Sequence, residues 1–175
     1  LNFENSIFGQ TLTDHMLVIH WTEYSDWENS KILPLHPLQA SPGAQVLHFG
    51  NIVFEDMKSM KGVDGKIRKF RPRDNPSGLK SSALSTFNEQ ELLKCIKKIL
   101  RIDSQCVSTG LRKLVYIRST IMSTEPTVGV GKFKEAQLTA IICPASNYHP
   151  GDRLNLSMYA ETNCVKAWPG ETGDT

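Results

Sequence analysis

The pattern of apolar and polar residues along the chain predicts a sheet of several strands. His15 to Trp21 is rich in β-forming and apolar residues, as is typical of a strand that is buried on both faces. Lys113 to Met122 alternates with a period of two, which places Tyr116 and Arg118 on the same face. Ala136 to Cys143 is a further apolar run, and the alternation from Leu154 to Ala160 predicts one more short strand.

Between these strands the sequence predicts a hairpin. The segment Val46 to Gly62 is mostly apolar and has the pattern of a helix or a strand that runs into a turn. Asp64-Gly65 is a typical two-residue hairpin turn, and Lys66 to Phe70 alternates basic and apolar residues as a half-exposed strand does. We therefore expect the strands on either side of this turn to pair.

Only one helix has a clear start signal. Asn88 is a suitable N-cap, Glu91 follows at the capping-box position, and apolar residues then recur at helical spacing. The segment from Arg71 to Ser85 is rich in Pro, Ser, Gly and Asn, so it is predicted as a loop with at most a short helix at Leu79 to Leu84. Strands that outnumber helices favour an α+β fold with a mixed or antiparallel sheet and flanking helices.

Composition excludes several classes of function. The 175 residues carry 20 Lys and Arg against 18 Asp and Glu, and a net charge of +2 gives no electrostatic reason to expect a nucleic acid partner. The longest apolar run is far shorter than the roughly 20 residues that a membrane span needs. The four cysteines are scattered and show no zinc spacing, so we expect reduced thiols, no metal site and a soluble intracellular protein.

Arg118 next to Tyr116 on one strand face allows two interpretations. At the edge of a sheet its guanidinium would extend to water along the strand surface. Held in a pocket, it would bind a carboxylate or a phosphate through a forked pair of hydrogen bonds. None of the common catalytic or nucleotide-binding motifs is present, so the residues alone do not decide between these interpretations.

A set of short motifs runs along the whole chain. The motifs are Phe8-Gly9, Thr13-Asp14-His15-Met16, Leu47-His48-Phe49, Phe54-Glu55, Tyr116-Ile117-Arg118, Glu125-Pro126, Gly129-Val130, Ala167-Trp168 and Thr172-Gly173-Asp174. In this order and approximate spacing they resemble the eukaryotic branched-chain amino acid aminotransferases. Enzymes of that family use pyridoxal phosphate and have the D-amino-acid-aminotransferase-like fold, with a small N-terminal domain, a large C-terminal domain and a homodimeric assembly. The resemblance implies a small domain at residues 1–147, a linker at 148–153 and the start of a truncated large domain at 154–175.

The resemblance also implies roles for residues. Leu, Ile and Val would donate an amino group to 2-oxoglutarate, giving branched 2-oxo acids and glutamate, in the cytoplasm or in the mitochondrion. Arg118 would accept the second carboxylate of glutamate, which favours the pocket interpretation of this residue. The positions that match the substrate-binding residues of the family are Phe8, Phe49, Phe54, Tyr116, Arg118, Val128, Val130 and Tyr148.

Departures from the family pattern open alternatives. The family's catalytic lysine would follow one residue beyond Thr175, so we expect the 175 residues by themselves to be inactive. Gly78 stands where the family has the arginine that binds the cofactor phosphate, and Lys80 is the nearest cation. Asp56 stands where the family has Gly. The chain could therefore be a non-catalytic relative that acts only as a dimerising or interaction domain.

A third interpretation is another member of the same fold, such as a D-amino acid aminotransferase or a chorismate-derived lyase. The matches at Thr13 to Met16 and at Glu125-Pro126 argue against it.

Overall fold

A computed structural model describes residue 6 and residues 8–82, 87–110, 113–145 and 157–164. Within these described residues there are seven strands, three α-helices and one short 3₁₀ helix. The strands are β1 (His15–Thr22), β2 (Asp26–Trp27), β3 (Lys31–Pro34), β4 (Ile52–Lys61), β5 (Ile67–Lys69), β6 (Leu114–Ser123) and β7 (Glu135–Ala145). The helices are α1 (Gln45–Phe49), α2 (Asp74–Ser82) and α3 (Glu89–Ile102), and the 3₁₀ helix is Ser104–Cys106.

The seven strands form one sheet in the order β2-β1-β7-β6-β4-β5, and β3 pairs with β1 beside this path. Every pair of these strands is antiparallel, which confirms the predicted sheet type. The strand β6 lies inside the sheet, between β7 and β4. The interpretation of Arg118 as an edge residue was therefore wrong, because both neighbouring positions are occupied by strands.

The segment after Ala44 divides into a short helix and a long strand. The helix α1 is capped at its C-terminal end by Gly50, whose φ of 64° is in the left-handed region that glycine adopts without strain. The strand β4 then runs to the predicted turn, where Gly65 has a φ of 73°. Lys61 is opposite Ile67 in the antiparallel pair of β4 and β5, so the predicted hairpin is confirmed.

The helices α2 and α3 cover one face of the sheet and bury the core there. Asn88 accepts hydrogen bonds from the backbone N–H groups of Gln90 and Glu91, which confirms the predicted N-cap of α3. The apolar stripe of α3 packs against inward-facing residues of the strands, and all of these side chains are buried. The central residues of this core are Leu92, Ile96, Ile99, Leu17, Met57, Ile117 and Leu138.

Two predicted elements differ from the structure. The helix α2 begins at Asp74, before the predicted Leu79 to Leu84, because Pro76 is tolerated in the first turn and Leu79 is anchored in the core. Residues 157–160 form no strand, and no neighbouring strand pairs with them. Residues 154–156 of that prediction, and the linker at 148–153, lie outside the described residues. None of the described helices is both long and apolar enough to cross a membrane.

Candidate functional site

The face of the sheet opposite α2 and α3 carries a hollow of about 600 Å³. Alternation along β4 and β6 sends every second side chain to this face. In the antiparallel register Asp56 is opposite Arg118 and Lys58 is opposite Tyr116, so four polar or aromatic side chains converge from two strands. The hollow is lined by Phe8, Asp56, Lys58, Leu114, Tyr116, Arg118 and Ala145.

Aromatic rings form the wall around Arg118. The ring of Phe8 meets the ring of Tyr116 edge to face, with centroids 4.8 Å apart and an interplanar angle of 80°. The guanidinium carbon of Arg118 lies 4.2 Å from the ring centroid of Phe54 and 5.3 Å from that of Tyr116. Both distances are within the range of cation–π attraction, so the rings hold the guanidinium at a fixed place. The site therefore combines apolar walls with a positioned cation.

A polar network fixes the same guanidinium from its edge. Nε and Nη2 of Arg118 donate hydrogen bonds to the hydroxyl of Tyr116, at 3.2 and 2.5 Å. Nε also lies 2.6 Å from Oδ1 of Asp56 in an ion pair. Burial, and then the hydrogen bond to Asp56, raise the pKa of Tyr116 to about 12. The hydroxyl of Tyr116 is therefore protonated at neutral pH while it accepts hydrogen bonds from Arg118.

The structure brings some of the predicted substrate-binding residues together. Phe8, Tyr116 and Arg118 line one hollow, and Phe54 stacks on the guanidinium from the side. Phe49 does not line this hollow, because it ends α1 beside His48, with 43% of its surface exposed.

The other predicted positions lie elsewhere. Val128 and Val130 are exposed in the loop that joins β6 to β7, and they do not line the hollow. Tyr148 lies outside the described residues. Asp56 and Lys58 line the hollow but were not predicted as site residues, although the period-two alternation from Phe54 could have identified them.

A buried glutamine holds the loop that carries Val128 and Val130. Only 2% of Gln45 is exposed, and its Nε2 donates to the carbonyl oxygens of Gly129, at 3.1 Å, and Gly131, at 3.4 Å. Its Oε1 accepts from Asn51 Nδ2 at 3.3 Å and from the buried Ser123 Oγ at 3.4 Å. The side chain of Gln45 thus connects this loop to α1 and to the end of β6.

The positions predicted for the cofactor phosphate do not fit that group. Gly78 lies in α2, on the helix-covered face, where a Cβ would come within 2.5 Å of Glu55 Oε1. Lys80 Nζ lies 3.4 Å from Glu89 Oε1, among residues of β2 and of the start of α3. Neither position places a cation at the hollow. In the part of the chain that the structure describes, no group of three or more His, Cys, Asp or Glu could hold a metal ion.

The sequence is similar to curated aminotransferases. It is 40% identical over 176 residues to the cytosolic branched-chain-amino-acid aminotransferase of Mus musculus, covering 98% of this chain and 46% of the relative. The mitochondrial enzyme of Rattus norvegicus is 37% identical over 173 residues, which cover 96% of this chain and 44% of the relative. The chain thus spans about half the length of these relatives, and an N-terminal portion fits this coverage. No protein-family model matches the chain.

Solved structures show the same fold. The branched-chain amino acid aminotransferase of Escherichia coli aligns with a TM-score of 0.57 at 18% identity, over 74% of this chain and 40% of that chain. The enzyme of the archaeon Thermoproteus uzoniensis, solved with norvaline, aligns with a TM-score of 0.52 at 19% identity, over 72% and 40% of the two chains. A third such enzyme, complexed with N-(5'-phosphopyridoxyl)-L-glutamate, aligns with a TM-score of 0.54 at 19% identity, over 71% and 40%. These likenesses confirm the predicted α+β fold of class IV aminotransferases.

Proposed function

Because this chain belongs by homology to the eukaryotic branched-chain amino acid aminotransferase family, we propose that it supplies the substrate side-chain pocket of such an enzyme. The supporting observation is the hollow in which Phe8, Tyr116 and Arg118 meet on one sheet face. An aliphatic side chain that enters it would exchange water for aromatic contacts. Each methylene group distinguished by such a pocket contributes roughly 1 to 3 kcal/mol to discrimination.

The proposed substrates are Leu, Ile and Val, with glutamate and 2-oxoglutarate as the co-substrate pair. In this assignment the rings of Phe8, Phe54 and Tyr116 contact the aliphatic side chain. Arg118 meets a second carboxylate, because a guanidinium is the side chain best suited to a forked pair with that group. Phe49, Val128 and Val130 do not line the hollow, so their role as substrate-binding residues, like that of Tyr148, rests on the resemblance alone.

Pyridoxal phosphate is the cofactor that the homology implies. When bound, it supplies the electron-withdrawing ring that makes amino-group transfer possible. Gly78 and Lys80 do not offer it a phosphate site, so we assign none of its contacts to the described residues. We further propose the domain boundaries given above, a homodimer and a cytoplasmic location, although the relatives include cytosolic and mitochondrial forms.

The experiment is a transamination assay on the full natural chain that contains this sequence, with pyridoxal phosphate present. We expect turnover of Leu, Ile and Val. Phe8→Ala removes a ring that forms one wall of the hollow, so we expect kcat/KM for leucine to fall about 10- to 100-fold. The value for alanine as amino donor should fall much less, because its methyl group does not extend to this wall.

Phe70→Ala is the matched control, since it removes the same ring from an exposed position outside the hollow. We expect this variant to keep the leucine preference. Turnover without any preference for branched side chains, or an equal effect of both substitutions, would contradict the proposed pocket.

A second candidate is the non-catalytic relative that acts only as a dimerising or interaction domain. The observation that favours it is the absence of a cation at Gly78, together with the pairing of Lys80 to Glu89. Complete lack of turnover in the assay, with a dimer in analytical ultracentrifugation, would support this candidate over the enzyme.

A further inference from the structure

We propose that Asp56 sets the charge preference of the hollow, because its carboxylate occupies the guanidinium of Arg118 and disfavours ligands that carry a second carboxylate. Ligands with an uncharged aliphatic side chain are not affected in this way. The proposed co-substrates glutamate and 2-oxoglutarate still meet Arg118, but they bind more weakly than they would without the carboxylate of Asp56. The identity of these ligands rests on the proposed function, whereas the position of Asp56 does not. Asp56 thus acts as a specificity-determining residue of this site.

The first support is the register of β4 and β6. Asp56 and Arg118 are directly opposite each other on adjacent strands and point to the same face. Oδ1 of Asp56 lies 2.6 Å from Nε of Arg118, which is an ion-pair contact. From the helix-covered side, Nδ2 of Asn75 donates a hydrogen bond to the backbone carbonyl of Asp56. The carboxylate is therefore held at the guanidinium by the sheet itself.

The second support is how little of the guanidinium is left for a ligand. The ring of Phe54 covers one face of Arg118 at 4.2 Å. The hydroxyl of Tyr116 accepts hydrogen bonds from Nε and Nη2 along the edge. Asp56 contacts the same edge, so a ligand carboxylate that binds there must displace it or lie beside it. Either arrangement places two negative charges close together.

The third support is the charge balance within the hollow. Among the residues that the structure describes, Arg118 and Lys58 are the cations that line it and Asp56 is the carboxylate. The side chains of Arg118 and Asp56 are 35% and 38% exposed, so both face the space that a ligand would occupy. Asp56 offsets one of these two positive charges, so removing its negative charge makes the hollow more favourable to an incoming anion.

The test compares two probe molecules by isothermal titration calorimetry on the full natural chain. Glutarate represents a ligand with a second carboxylate, and 4-methylpentanoate represents one with a branched apolar chain. The substitution Asp56→Asn keeps the shape and removes the charge. We expect it to increase glutarate affinity by about tenfold, which is the lower end of the effect of a neighbouring opposite charge, taken here as equal in size for a like charge, because the site is partly exposed. We expect the affinity for 4-methylpentanoate to change by less than about twofold.

Glu28→Gln is the matched control, because it makes the same change in net charge at an exposed position that does not line the hollow. We expect it to leave both affinities unchanged. Asp56→Gly should give the same gain for glutarate as Asp56→Asn, which tests the result with a second variant. In the double variant Asp56→Asn with Arg118→Gln, the gain should disappear, because the guanidinium that Asp56 releases is no longer present.

Any of three results would overturn the inference. The wild type and Asp56→Asn could bind glutarate with equal affinity, Asp56→Asn could show no measurable binding of glutarate, or Glu28→Gln could give an equal gain. Failure of the proposed function has a different signature. If the chain does not transaminate leucine but Asp56→Asn gives the tenfold gain in glutarate affinity, the role of Asp56 is supported and only the proposed activity is wrong. If the chain transaminates leucine but Asp56→Asn gives no gain, the activity is supported and the role of Asp56 is wrong.

Discussion

Replacing Gln45 should release the loop between β6 and β7 while it leaves the sheet intact. In the native chain the Gln45 amide donates to Gly129 and Gly131 and accepts from Asn51 and Ser123. Gln45→Met keeps a similar volume and removes all four hydrogen bonds. Gly129 and Gly131 are exposed, and these bonds hold their carbonyl groups to α1. The hydrogen bond from the backbone N–H of Gln45 to Glu125 is unaffected by the substitution.

The expected cost follows from the geometry of these four contacts. Three of them are 3.3 Å or longer, so they are weaker than the 3.1 Å bond to Gly129. A net hydrogen bond contributes about 0.5–1.5 kcal/mol, and a buried polar group left without a partner costs about 1–3 kcal/mol. Ser123 is fully buried, and its hydroxyl would be such a group. We expect a loss of about 2 kcal/mol in the free energy of local opening.

The assay is amide hydrogen exchange measured by mass spectrometry on the full natural chain. A loss of about 2 kcal/mol corresponds to exchange about 30-fold faster in peptides from residues 124–134. Peptides from the centre of β7 should keep their native protection. Gln45→Glu separates the two halves of the network, because it keeps the acceptor for Ser123 and removes the donor to the glycines. It also places a carboxylate at a position that is only 2% exposed and faces two carbonyl oxygens, so at neutral pH it should accelerate exchange in the loop and cost more global stability than Gln45→Met.

Unchanged exchange in residues 124–134 of Gln45→Met would refute this reasoning. It would mean that the exposed loop keeps its conformation without the amide of Gln45. Faster exchange across the whole sheet would also contradict it, because the cost would then be global and not local.

Two further predictions concern stability. Asn88→Ala should destabilise α3 by about 1 kcal/mol in urea unfolding, because it leaves the N–H groups of Gln90 and Glu91 without their acceptor, and Asn88→Ser should restore most of the loss. Burial, and then the charge of Lys97, lower the pKa of Lys69 to about 8 from 10.5. Between these two pH values the folded state therefore holds fewer protons than the unfolded chain. The cost of burying the charged Lys69 is fully present below pH 8 and is lost as the pH rises to 10.5. Lys69→Met should therefore increase the free energy of unfolding at pH 7 by about 1 kcal/mol after allowance for solvent screening, and should give no gain above pH 10.5. The exposed Lys66→Met is the control. An equal gain from it would show that burial of Lys69 is not the cause.

Local signals were sufficient where a few neighbouring residues determine the structure. The N-cap at Asn88, the turn at Asp64-Gly65 and the strand at His15 to Trp21 were all predicted from the sequence, because hydrogen bonding and periodicity act within a few residues of one another. The early start of α2 was not predicted. Its first turn is polar, and it is fixed by contacts such as the hydrogen bond from Asn75 to Glu55, which are distant in sequence.

The sequence by itself determined the α+β class, the segments that form the long strands β1, β6 and β7, and the residues that resemble a known family. Only the tertiary structure decided that Arg118 lies inside the sheet and that Asp56 is paired with it. It also decided that Val128 and Val130 lie away from the hollow, and that Lys80 is paired with Glu89. The physical reason is that strand order and register set which side chains meet across strands, and these depend on packing between distant segments, which no local pattern records.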